Sequence, residues 1–179
     1  EEVFRIREET PSTFEISLRE GAYEKTVFPY LDLGRDYAAL WERCKKAAVG
    51  LPPEGRRLIL EAIRAGEGLR VLRQDVFEML ITFLISQRKN IPAISRAVET
   101  LAFRYGHPVL DLPEELSLDE EIYTFPSPQE LSRASEEDLR ACGLGYRAPY
   151  VRDAVDRVLC GSLDLVALAD LSDEDLLSS

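Results

Sequence analysis

Residues 3 to 8 (Val-Phe-Arg-Ile-Arg-Glu) and 13 to 18 (Thr-Phe-Glu-Ile-Ser-Leu) alternate apolar and polar positions with period two, with Thr10-Pro11-Ser12 between them. That pattern predicts an antiparallel hairpin with one buried face. From Asp36 onward the period becomes helical: Tyr37, Leu40, Trp41 and Cys44 form one stripe, and Leu58, Leu60 and Ile63 form the next, after Pro52-Pro53-Glu54. Asp75-Val-Phe-Glu78 reads as a capped helix start. The helix it opens is apolar nearly all round through Ile85, which predicts a central buried helix. A further helix fits Pro92 to Tyr105, stopped by Gly106, and short acidic helices fit Pro128–Leu131 and Glu136–Leu139. The last long helix runs from about Arg147 to Leu159, with Gly161 after it. The chain is therefore mostly α, an α+β protein with a small antiparallel β element at its start.

At 179 residues, 45% of them apolar and 31% charged, the composition is globular. The longest apolar run, Met79 to Ile85, is interrupted by Thr82 and falls far short of the ~20 residues of a membrane span. Three widely spaced cysteines (Cys44, Cys142, Cys160) and a single histidine, His107, offer neither a disulfide framework nor a zinc site. No metal or cofactor is expected, and a reducing cytoplasm is the expected compartment, nucleoid-associated in a bacterium. Ser172-Asp-Glu-Asp175 reads as the start of a helix just before the last residue, so the chain is expected to be a fragment.

A formal net charge of −11 argues against nucleic acid, but the charge is unevenly spread. Residues 64 to 104 carry +3 and residues 140 to 160 carry +2, whereas residues 111 to 138 carry −9. Local field, not net charge, decides where a polyanion docks.

Two segments stand out within the basic stretches. Ser86-Gln-Arg-Lys-Asn90-Ile-Pro92 joins the most apolar helix to the next one, and Asn90 lies near a helix N-terminus whose free N–H groups attract anions. It reads as a rigid loop contacting nucleic acid or as a solvated interhelical turn. Cys142-Gly-Leu-Gly-Tyr146-Arg147-Ala148-Pro149-Tyr150 combines two turn-permitting glycines with an aromatic beside an arginine at a helix entrance. That pair suits unstacking a base and holding what is left; Tyr146 and Tyr150 also fit a half-buried i,i+4 pair. No nucleophile elbow, phosphate-binding glycine loop or HExxH is present, and the acidic run from Glu114 to Glu121 fits a solvated linker better than a metal loop.

Tyr30-Leu-Asp-Leu-Gly-Arg-Asp-Tyr37, Leu69-Arg-Val-Leu-Arg-Gln-Asp75, the Phe83-to-Pro92 segment, Phe125-Pro126 and Gly143-Leu-Gly-Tyr-Arg-Ala148 occur in the order and spacing of the 8-oxoguanine DNA glycosylases. From about Tyr30 onward the chain resembles that helix-hairpin-helix family. The resemblance implies a helical glycosylase domain over residues 30–179, incomplete at its C-terminus, behind a remnant of an N-terminal antiparallel β-domain over residues 1–29. It implies a base-excision-repair DNA glycosylase with AP lyase activity on an oxidised purine such as 8-oxoguanine, acting as a monomer on double-stranded DNA.

By the same resemblance Tyr146 is the wedge that enters the duplex, and Arg147 contacts the base opposite the flipped lesion. The loop holding Gln87, Arg88, Lys89 and Asn90 contacts that opposite base or phosphate. Arg88-Lys89 stand where the family commonly has asparagines and Ala93 where cytosine-reading members have an arginine, which predicts weaker reading of cytosine or acceptance of another opposite base, with stronger phosphate contact. The catalytic lysine and aspartate of the family match no residue here, so no catalytic residue is assigned. Two alternatives stand beside this reading: a non-catalytic acidic helical interaction module, and an alkylpurine-type glycosylase.

Overall fold

The computed structural model describes residues 3–10, 13–110, 112, 116, 121–169, 171 and 175. Most of the acidic 114–121 run, the Pro11-Ser12 turn and most of the helix start expected at 172–175 lie outside the described residues. The chain forms two compact units, one ending at Arg73 and one beginning at Gln74.

In the first unit, strands β1 (Phe4–Thr10) and β2 (Thr13–Leu18) pair antiparallel with Ile6 opposite Ile16, and the register slips between Glu8 and Thr10. The hairpin follows the alternation, but the expected buried face does not form. Ile6 and Phe14 are exposed, while Phe4 finds an aromatic partner, meeting Tyr30 edge-on at 5.3 Å. Two strands have no second layer of their own to close over their apolar side. A wide helical turn, Tyr23–Val27, runs into the single turn α1 (Phe28–Tyr30).

Helix α2 (Tyr37–Ala47) is capped by the Asp36 carboxylate, which accepts from the Ala39 N–H at 2.9 Å. Its predicted stripe is half-buried. In α3 (Pro53–Ala65), Leu60 and Ile63 are half-buried as expected, but Leu58 is exposed, because two residues apart on a helix face nearly opposite ways.

The second unit is built on α4 (Val76–Ser86), whose N-terminus is held by the Asp75 side chain on the Glu78 N–H. Phe77, Ile81 and Ile85, at spacing four, are buried against Ala97 and Leu101 of α5 (Ile91–Tyr105) and against Val151 and Val155 further along the chain. The helix is central to this unit's core as expected, but one face alone is buried: Val76, Met79 and Phe83 on its other side are exposed.

Gly106 ends α5 by accommodation, not by a left-handed turn. A Cβ there would collide with the Thr124 carbonyl oxygen, where the chain crosses back to pair Pro108 with Tyr123. Helices α6 (Pro128–Leu131) and α7 (Glu136–Leu139) each open with a reciprocal capping box, Ser127 with Glu130 and Ser135 with Asp138. Glu130 also meets His107, and its carboxyl is held down at about 2 by the Ser127 backbone and hydroxyl, with His107 adding to them. Helices α8 (Ala148–Leu159) and α9 (Leu165–Ala169) follow. No helix among the described residues is long and apolar enough to cross a membrane.

Candidate nucleic-acid interface

The buried face of α4 fixes where the chain emerges from the core, and the polar run after Ser86 must turn at once. Gln87 leaves the helical region and Arg88 takes a left-handed conformation (φ +52°), which is uncommon for a residue with a side chain. The Lys89 N–H then closes the turn on the Ser86 carbonyl at 3.0 Å. Asn90 is extended and caps α5, its Oδ1 accepting from the Ala93 N–H at 3.0 Å, with Pro92 in the first helical turn. The Asn90 side chain is thus engaged in holding the loop, while Gln87 and Arg88 are exposed.

The second segment starts at a wide turn, Arg140–Leu144, that buries Cys142 and Leu144 in the core. Gly143 and Gly145 then adopt φ +82° and +59°, conformations open to glycine at little cost, and the tight turn Gly145–Arg147 feeds α8. Tyr146 is 58% exposed and Tyr150 is 61% exposed, so neither is part of the core.

The fold brings these two segments together, although about 60 residues separate them. Arg147 is buried, and its guanidinium donates through Nε to the Gln87 carbonyl at 2.9 Å, with a second donor on the same oxygen and a third on the Leu144 carbonyl at 3.4 Å. The same guanidinium lies 4.4 Å from the centre of the Tyr146 ring, a cation–π contact, and the Tyr146 hydroxyl sits 3.5 Å from the Gln87 oxygen. From the other side Lys89 Nζ donates to the Gly143 carbonyl at 2.7 Å. Each loop therefore seats a cation on a backbone oxygen of the other.

These acceptors are neutral, so the two positive charges are held but not cancelled. Partial burial lowers the Lys89 pKa, and the neighbouring Arg147 charge lowers it further. None of Arg88, Lys89 and Arg147 forms an ion pair among the described residues. The arrangement presents a rigid aromatic ring in the midst of uncancelled positive charge, a surface that can stack on a base and attract phosphate. Every sequence-predicted residue lies in this loop pair. The sequence did not show that the Gln87 contribution is its main-chain oxygen, since a carbonyl leaves no mark in the side-chain pattern.

No group of histidine, cysteine or acidic side chains that could hold a metal occurs among the described residues. His107 is exposed at the end of α5, bound to Glu130, away from both loops in sequence.

Residues 3–80 match the family model described as 8-oxoguanine DNA glycosylase, N-terminal domain. The N-glycosylase/DNA lyase OGG1 of Arabidopsis thaliana is 41% identical over 96 residues, covering 54% of this chain and 25% of that protein. The crystal structure of the Clostridium acetobutylicum 8-oxoguanine glycosylase/lyase, in complex with double-stranded DNA containing cytosine opposite 8-oxoG, superposes with a TM-score of 0.77 at 27% identity. It is covered over 54% of its length by 96% of this chain. The 3-methyladenine DNA-glycosylase from Archaeoglobus fulgidus, at 18% identity and TM-score 0.59, shares the fold alone. The chain spans about a quarter of the Arabidopsis protein and about half of the clostridial one. The family domain over residues 3–80 and the clostridial superposition between them take in both units, and across both the chain is similar to the 8-oxoguanine DNA glycosylases.

Proposed function

We propose that this chain serves base-excision repair as the duplex-engaging part of a DNA glycosylase with AP lyase activity on an oxidised purine such as 8-oxoguanine. The observation that carries the reading is the exposed Tyr146 ring, braced by Arg147 on the Gln87 carbonyl and flanked by Arg88 and Lys89. Tyr146 is the wedge: it fills the stack after the damaged nucleotide is flipped out, at a cost of a few kcal/mol. Gln87, Arg88, Lys89, Asn90 and Arg147 make up the surface toward the opposite base and its phosphates, Asn90 and Arg147 by holding the loops in place. With Ala93 at the start of α5, cytosine is read weakly there.

The chemistry the family implies is attack of a lysine amine on the sugar C1′, assisted by an aspartate, through a Schiff base that permits strand cleavage. No residue of this chain is assigned those two roles. The β-hairpin belongs, in this reading, to the end of an N-terminal β-domain before the helical domain. The protein acts as a monomer wherever its DNA lies, in a bacterium at the nucleoid.

Glycosylase and borohydride-trapping assays on 8-oxoguanine duplexes test this, using both the chain and a version extended past Ser179. Cleavage and trapping are expected only from the extended protein. Trapping by the chain itself refutes the assignment of the nucleophile, and inactivity of the extended protein on every oxidised base refutes the function. The non-catalytic module is separated by duplex titration: salt-sensitive binding that disappears on Tyr146→Ala excludes it.

A further inference from the structure

Three arginines of the second unit are each matched by a carboxylate one helical turn away. Arg140 pairs with Glu136 at 2.7 Å, Arg152 with Asp156 at 3.1 Å and Arg157 with Asp153 at 2.7 Å, all at i,i+4 spacing. Arg96, on the exposed side of α5, belongs to the arginines of this unit without such a carboxylate. Its guanidinium has no hydrogen-bond or ion-pair partner among the described residues, and Glu99, three residues on, does not pair with it. The residue four positions ahead is Thr100, whose hydroxyl proton is given to the Arg96 carbonyl at 2.6 Å.

Arg96 is also not on open surface. With Lys89, Ala93 and Thr100 it lines one wall of a groove of about 310 Å³, whose other wall is Ala141–Gly143 at the wide turn before Tyr146. No acidic residue lines this groove. Lys89 uses one of its three N–H donors on the Gly143 carbonyl and keeps two, so the groove holds an unpaired guanidinium and an ammonium with donors to spare. The nearest acid in sequence on the turn side, Asp138, is engaged by the Ser135 hydroxyl and N–H.

We propose that this groove binds a backbone phosphate of the duplex, with Arg96 and Lys89 as its two cationic donors, and so extends the DNA contact beyond the two loops along the side of α5. This rests on the proposed glycosylase reading and adds a residue that reading does not use. A phosphate oxygen between the two side chains supplies the counter-charge that the groove lining lacks. The contact is blind to sequence and to damage, so it sets affinity and register but not the choice of base.

The experiment is fluorescence-anisotropy titration of the chain with an 8-oxoguanine:cytosine duplex and the matching undamaged duplex, at salt between about 50 and 200 mM. Arg96→Gln is expected to weaken both complexes by the same factor, roughly three- to tenfold at the lowest salt, and to reduce the slope of log K against log salt by about 0.9. Arg96→Lys is expected to keep the slope, and Arg157→Gln, which removes a paired cation, to change nothing. A slope in Arg96→Gln equal to that of the unaltered chain, with binding still lost in Tyr146→Ala, overturns the phosphate site alone. Absence of duplex binding by the unaltered chain, or binding indifferent to Tyr146→Ala, overturns the glycosylase reading and the site with it.

Discussion

Around Asp32 three arginines converge on a carboxylate and its backbone, whereas around Gln87 an arginine and a lysine are seated on neutral carbonyls. Asp32 is buried in the first unit and left-handed (φ +50°), its carboxylate accepting from Arg73 Nε at 2.8 Å, from Arg35 at 2.6 Å and from the Tyr37 hydroxyl at 3.0 Å. Arg70 donates to the Asp32 carbonyl at 2.9 Å and lies over the Tyr37 ring. Burial pushes the carboxyl upward, but the Tyr37 and Arg73 hydrogen bonds and the Arg35 and Arg73 charges outweigh it and hold the pKa below the usual value. Arg35 and Arg73 share the one carboxylate as counter-charge and Arg70 is tied to its backbone, so the cluster is a fastening. At Gln87 the same residue type is fastened without a counter-charge, and the positive potential survives for a partner to use. The lesson is that an arginine's acceptor reports its purpose: a carboxylate consumes the charge, a carbonyl only aims it.

The sharpest break of this contrast is Asp32→Asn, which keeps a residue tolerant of φ > 0 but removes the charge facing Arg35 and Arg73. Calorimetry and hydrogen exchange are expected to show the largest loss of stability in this set, centred on residues 28–73, with duplex affinity retained. Collapse of affinity at temperatures where the first unit stays folded would falsify the division into fastening and contact. Next is Tyr146→Ala, expected to cost roughly tenfold or more in duplex affinity, in line with a stacked base at ~1–3 kcal/mol, while thermal stability changes little because the ring is mostly exposed. An unchanged affinity in anisotropy titrations refutes the wedge.

Carboxylates that are matched should also govern acid stability. Glu130 has its folded pKa depressed to about 2 from 4.5, so its contribution is complete above pH 4.5 and is lost as the pH falls toward 2. Acid titration of Glu130→Gln by circular dichroism is expected to give a shallower fall across that window; a slope identical to the parent's removes Glu130 from the account. The smallest effect is that of Lys89→Met, which deletes one uncancelled charge and its bond to Gly143. The slope of log K against log salt should drop by about 0.9 with little change in melting temperature. If the slope stays and the melting temperature falls, Lys89 is a fastening after all.

The same distinction explains what could be read from the chain and what could not. Helices α4 to α8 follow from periodicity and capping residues, because these are local signals, whereas the glycine that ends α5 is required by the distant Thr124 carbonyl. Tyr146 and the 86–90 loop stood out because aromatic, glycine and cation types cluster in sequence. Burial that depends on what packs from elsewhere was not legible: Ile6 and Phe14 look inward-facing and are exposed, and Phe83 lies on an open side of α4. Asp32 was visible only as part of a family-like run. Arg35 lies three residues on in the same run, but Arg70 and Arg73 arrive from 38 and 41 residues away, and nothing in Tyr30–Tyr37 announces those two.

The Gln87 carbonyl has a consequence for how mutations at this site are interpreted. Because the brace on Arg147 and Tyr146 ends on a main-chain oxygen, any side chain at position 87 supplies it equally well. Alanine scanning passes over the position, and its side chain can drift among relatives while its oxygen stays indispensable. Only an edit of the backbone reaches it: an ester in place of the amide between Gln87 and Arg88 weakens that oxygen as an acceptor, and leaves every side chain as it was.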